Sequence, residues 1–131
     1  MSSKEILDAN PKTASLIHDY YLNRMLDALT DDSLPLEFKE FAKEKGLPFE
    51  NIVAMLEVNP RQLIDFFDDE EIFINVYTSH GKFFLYDILN DRKTISHEAP
   101  TRKEAELEGV KLAIELFEEK LNSLEKTNEE S

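Results

Sequence analysis

Residues 72–99, IFINVYTSHGKFFLYDILNDRKTISHEA, decide the fold. Everything before them is helix-like and punctuated by proline. Here the preference turns abruptly to β-branched and aromatic residues, with two runs, IFINVYT and KFFLYDIL, joined by SHGK. That composition reads as strands, and Gly81 suits the positive φ of a tight hairpin. NDRK then turns into a third strand, TISHE, in a meander that brings His97 opposite Tyr86. A two-residue turn on His80-Gly81 would pair Phe73 with Ile88. One face would then carry Ile72, Ile74, Val76, Phe83, Leu85 and Leu89, and the other Phe73, Tyr77, Phe84, Tyr86, Ile88 and Ile95. Both faces are apolar, so both call for a cover.

One cover follows directly. Pro100 ends the sheet, and Thr101 with Glu104 forms an S/T-x-x-E helix start. Leu107, Val110, Ile114, Phe117, Leu121 and Leu124 then recur at helical steps of 3 and 4, one apolar stripe facing the sheet. The tail after Leu124 is polar and expected to fray. The second cover is expected from the helical half or from a second subunit.

That helical half is a chain of short amphipathic segments. Asn10-Pro11 opens a helix whose stripe holds Ile17, Tyr21 and Ala28, widened by Leu22, Met25, Leu26 and Leu29. DDSLP breaks it; LEFKEFAKEK ends at Gly46; FENIVAMLEV and RQLIDFFDD follow, the last behind a second Asn-Pro. Asp68 to Glu71 is read as a solvated connection. The expectation is one α+β domain over 1–131: a helical N-terminal half (1–71), a three-stranded antiparallel meander (72–99), a long C-terminal helix packed on the sheet (100–125) and a frayed tail (126–131).

The 131 residues hold 28 acids against 15 bases, a net charge of −13. Such a field opposes non-specific nucleic-acid binding, which needs bases to displace counterions from phosphates. Absence of cysteine removes disulfides and thiol chemistry. With no apolar targeting core near the N-terminus and no apolar run long enough for a membrane, the expected location is cytoplasmic.

Chemistry is thinly represented. Three glycines leave no room for phosphate-cradling loops, and the G-x-S-x-G pattern is absent. His18, His80 and His97 are spread over a helix, a hairpin tip and a strand, and His80 and His97, about 17 Å apart along the hairpin, should not share a metal. Asp65, Asp68 and Asp69 share a helix face but lack the loop of an EF-hand. The segment 38–67 has a helix-turn-helix cadence, yet its last helix offers Arg61 and Gln62 followed by acids, so a packing unit of three helices is the simpler account. The expectation is a non-enzymatic protein without cofactors.

The stretch TRKEAELEGVKLAIELF (101–117) resembles the last helix of double-stranded-RNA-binding domains, with a hydroxyl residue, two bases, Glu and Ala leading into an apolar face. The resemblance implies three preceding strands and phosphate contacts from Arg102 and Lys103. Lys82, Arg92 and Lys93 would complete a basic rim; Glu106 stands where that family has a further base. The alternative is that Arg102 and Lys103 pair with Glu106 one turn on. More broadly, NPRQLIDFFDD, the meander and the R-K-E-A-E helix resemble small uncharacterised acidic proteins of phages and other mobile elements. That likeness implies a partner protein rather than a substrate. The leading expectation is an accessory protein that binds another protein or itself, through a face holding Phe73, Tyr77, Phe84 and Tyr86 or, for a homodimer, through that face or the C-terminal helix. Nucleic-acid binding at the rim and mimicry of nucleic acid toward a basic host protein are the alternatives.

Overall fold

A computed structural model describes residues 2–79, 83–90 and 93–130. Among them the order is α1 (Ser3–Ala9), α2 (Pro11–Ala28), α3 (Leu36–Lys45), α4 (Phe49–Val58), α5 (Arg61–Asp69), β1 (Phe73–Ser79), β2 (Phe83–Asn90), β3 (Lys93–Ala99) and α6 (Arg102–Glu130). This is the α+β arrangement expected, with a β1-β2-β3 antiparallel meander and a long last helix packed on it. His97 does return opposite Tyr86, and their rings stack at 5.4 Å.

α6 is the axis of the core. It touches all three strands on one side and α1, α2, α4 and α5 on the other. Its stripe is buried at Val110, Ile114 and Phe117, with Leu107 and Leu121 packed at the margin; Leu124 is exposed. Ala105 and Gly109 bring the helix close to the sheet. A Cβ at Gly109 would lie 3.1 Å from Ile74 Cγ2 and 3.5 Å from Tyr86 Cδ2, so only a hydrogen lets the helix sit this near. The helix continues to Glu130 rather than ending near residue 125.

α1 has no counterpart in the sequence reading. Seven residues carry only two large apolar side chains, but Ile6 and Leu7 are both buried in the main core. Ser2 caps the helix through a 3.1 Å bond from the Glu5 N–H. Asn10 closes α1 and opens α2, yet its Nδ2 donates backward to the Ile6 carbonyl at 2.8 Å. The N-terminus of α2 is therefore satisfied from elsewhere: Glu118 of α6 accepts from the Thr13 N–H at 2.8 Å. In α2 the buried residues are Thr13, Ala14 and Ile17, while Ala28, read as part of the stripe, is exposed.

α5 delivers Leu63, Phe66 and Phe67 to the core, where Phe66 meets Phe117 edge-on at 5.8 Å. The Ile72 N–H then bonds back to the Phe67 carbonyl at 2.9 Å and the Glu71 N–H to the Asp68 carbonyl at 3.1 Å. This is a Schellman stop, with buried Ile72 and Phe67 as its apolar contact. Its left-handed position, φ 62°, is held by Glu71 rather than glycine. The connection read as merely solvated is thus the corner that aims β1.

The three-helix unit expected over α3–α5 does not form. α4 packs on α5, but α3 buries no residue and makes no extensive contact with any element. Gly46 ends it at φ 65°, as a helix-terminal glycine allows. Among the described residues no helix is long and apolar enough to cross a membrane.

Candidate interaction surface

The sheet register fixes which side chains share a face. Ser79 pairs with Phe83, leaving three residues between them, not two. Phe73 therefore faces Leu89 and Ile74 faces Ile88. One residue more in the turn reverses every side chain of β2 relative to β1. The expected faces are corrected accordingly.

The helix-covered face holds Ile74, Val76, Phe84, Tyr86, Ile88 and Ala99. The opposite face holds Phe73, Asn75 and Tyr77 on β1, Leu85, Asp87 and Leu89 on β2, and Ser96 and Glu98 on β3. The core that α6 shares with the helical half gathers Ile74 and Ile88 from the covered face, and among the described residues no element covers this second face. Phe73 and Tyr77 are each 41% exposed, and Leu89 is exposed with them. The Tyr77 hydroxyl donates to Asp87 Oδ1 at 3.2 Å, which gives the apolar face an acidic centre. That bond, chiefly, raises the Tyr77 pKa.

The four residues expected to form one interaction face are split. Phe73 and Tyr77 stand on the open side; Phe84 and Tyr86 turn under α6. Leu85 and Leu89, assigned by the sequence reading to the face opposite Phe73 and Tyr77, take their places. The length of the turn was the missing signal, and Gly81 alone does not set it.

The basic rim also changes character. The Arg102 guanidinium lies 5.3 Å over the Phe84 ring, closing the end of the covered face. Among the described residues neither Arg102 nor Lys103 comes within 4 Å of a carboxylate, so the expected pairing with Glu106 is absent. Arg102 and Arg61 do border a cleft of about 420 Å³ along the outer edge of β1, but Asp65 and Glu106 line it too. Lys93 begins β3; Lys82, Arg92 and His80 lie outside the described residues. Of the capping box expected from Thr101 and Glu104, the 3.1 Å bond from the Glu104 N–H to the Thr101 hydroxyl is present.

The remaining candidates take structural positions. His18 Nε2 lies 2.5 Å from the Leu47 carbonyl oxygen and ties α2 to the loop after α3. Asp69 accepts from the Tyr20 hydroxyl at 2.8 Å. Burial first, then the charges of Asp65 and Asp69, raise the Asp68 pKa. Among the described residues no group of His, Asp and Glu has the arrangement of a metal site.

Comparison with protein-family models, with curated proteins and with solved structures finds no match to this chain.

Proposed function

We propose that this is a non-enzymatic protein-interaction module, acidic and self-associating, whose working surface is the open face of the sheet. The observation that carries the reading is the pair of apolar strands β1 and β2 presenting Phe73, Tyr77, Leu85 and Leu89 on the side away from every helix. Isolated apolar side chains on a surface are ordinary; a contiguous set on a rigid sheet is the usual form of a protein contact. The Tyr77–Asp87 pair at its middle adds a fixed acidic and hydrogen-bonding feature that would set the orientation of a partner.

The test is affinity capture from extract of the source cell, treated with nuclease, with wild type beside a Phe73→Ser/Leu89→Ser variant. Retention of one protein by wild type and its loss from the variant is the expected result. A protein retained equally by both, or released by nuclease alone, would overturn the reading.

A further inference from the structure

The open face has a counterpart in the same chain. α3 carries Phe38, Phe41, Ala42 and Lys45 at i, i+3, i+4 and i+7, one stripe of a helix. A stripe of that kind normally faces a core. Here Phe38 and Phe41 are 52% and 57% exposed, and the helix has no extensive contact with any element. Its ends are nonetheless anchored. Leu29 is buried before it, Leu47 packs on the main core after it, and His18 holds the Leu47 carbonyl. The chain thus presents an amphipathic helix held at both ends with its apolar side turned to solvent.

Charge selects what could receive that helix. Residues 1–71 contain seven bases, and three of them, Lys39, Lys43 and Lys45, are on α3, where they balance Glu37, Glu40 and Glu44. In a chain of net −13, α3 carries no net charge: Lys45 lies in the aromatic stripe, over the Phe41 ring, with Lys39 and Lys43 along one side of it and Glu37, Glu40 and Glu44 along the other. The open sheet face is apolar with acids at Asp87 and Glu98. Two such sheet faces packed on each other would bring Asp87 and Glu98 of each copy toward carboxylates, desolvated and unpaired. α3 instead brings two phenylalanines to an apolar surface and lysines to its acids.

We propose that α3 of one copy docks on the open sheet face of a second copy, and reciprocally, in a two-fold dimer. Each copy supplies one helix and one sheet face, so both unpartnered surfaces are covered and the assembly closes at two. The proposal rests on the open face being the working surface, as proposed above, and names its occupant.

Light scattering on the full chain at tens of micromolar tests it, with two double variants at exposed positions: Phe38→Ser/Phe41→Ser on α3 and Phe73→Ser/Leu89→Ser on the sheet. Circular dichroism confirms that each still folds. Wild type is expected at twice the chain mass of 15.2 kDa. Each variant is expected to self-associate at least about 10-fold more weakly, as loss of central aromatic anchors does. An equimolar mixture of the two variants retains one intact helix-on-sheet contact. It should give hetero-dimers, read by fluorescence transfer between labelled chains, at a concentration where neither variant pairs with itself. A monomeric wild type overturns the proposal. So does a dimer broken by the sheet variant but not by the α3 variant, which would mean sheet-on-sheet packing and leave the working surface standing. A mixture no better than its components also overturns it.

Discussion

Glu118 of α6 accepts two hydrogen bonds from Thr13 of α2, from the backbone N–H at 2.8 Å and the hydroxyl at 3.0 Å, so the last helix caps the second one. A carboxylate at a helix N-terminus satisfies an orphan N–H and meets the positive end of the dipole. Glu118 is buried, so nothing but water entering the gap could replace it. Glu118→Ala is expected to lower stability by about 2–3 kcal/mol, the range for a charge-assisted bond whose buried donor is left unpaired. Glu118→Gln keeps an acceptor and should lose about 1 kcal/mol or less, the dipole term alone. Chemical denaturation of both variants checks the pair; equal losses would mean the charge and not the acceptor matters.

Phe117 sits where α5 meets α6, edge-on to Phe66 at 5.8 Å and to Phe67 at 6.3 Å. Phe117→Ala removes a buried ring from the main core. A loss of about 3–5 kcal/mol is expected in urea denaturation. A loss below about 1 kcal/mol would show that α5 collapses onto α6.

Glu71 occupies a left-handed position that costs a non-glycine residue about 1–2 kcal/mol. Glycine adopts it freely but loses more backbone entropy on folding, about 0.5–1 kcal/mol. Glu71→Gly is therefore expected to stabilise by up to about 1 kcal/mol, and it also removes an acid from the negative end of α5. A rise in the melting temperature checks it. A fall would mean that the Glu71 side chain makes up for its backbone strain.

Asp68 has a pKa raised in the folded protein by burial and by Asp65 and Asp69. The folded state holds this proton to higher pH than the unfolded chain does. Its contribution to stability is full below the unfolded carboxylate value near ~3.9 and is lost as pH rises through the folded value. Asp68→Asn should accordingly raise the melting temperature at neutral pH and leave it unchanged in strong acid. An equal gain at both pH values would point to helix propensity rather than charge.

How much of this was legible beforehand depends on how each element records itself. α6 was readable because six apolar residues repeat over five turns, and the meander because its composition breaks so sharply at Ile72. The pairing of Tyr86 with His97 followed from a two-residue second turn, since Asn90 pairs with Lys93. The first turn was one residue longer than it looked, and that single residue moved Leu85 and Leu89 to the open side. α1 escaped notice because two buried apolar side chains in seven residues make no periodic signal. The idle state of α3 could not be read at all. Its stripe resembles that of any packed helix, and only the positions of its neighbours show that it makes no extensive contact with the described elements.

The central place of α6 bears on how the chain acquires its structure. The helix that every other layer of the core leans on is the last of the described elements in chain order. On a ribosome, α1, α2 and α5 emerge with Ile6, Leu7, Ile17, Phe66 and Phe67 uncovered and no α6 to meet them. Contacts between α1 and α6, about a hundred residues apart along the chain, make the loop-closure term large and the transition slow for so helical a protein. Synthesis thus proceeds with an apolar nascent chain whose folding waits for α6, the period in which aggregation or chaperone capture competes with folding.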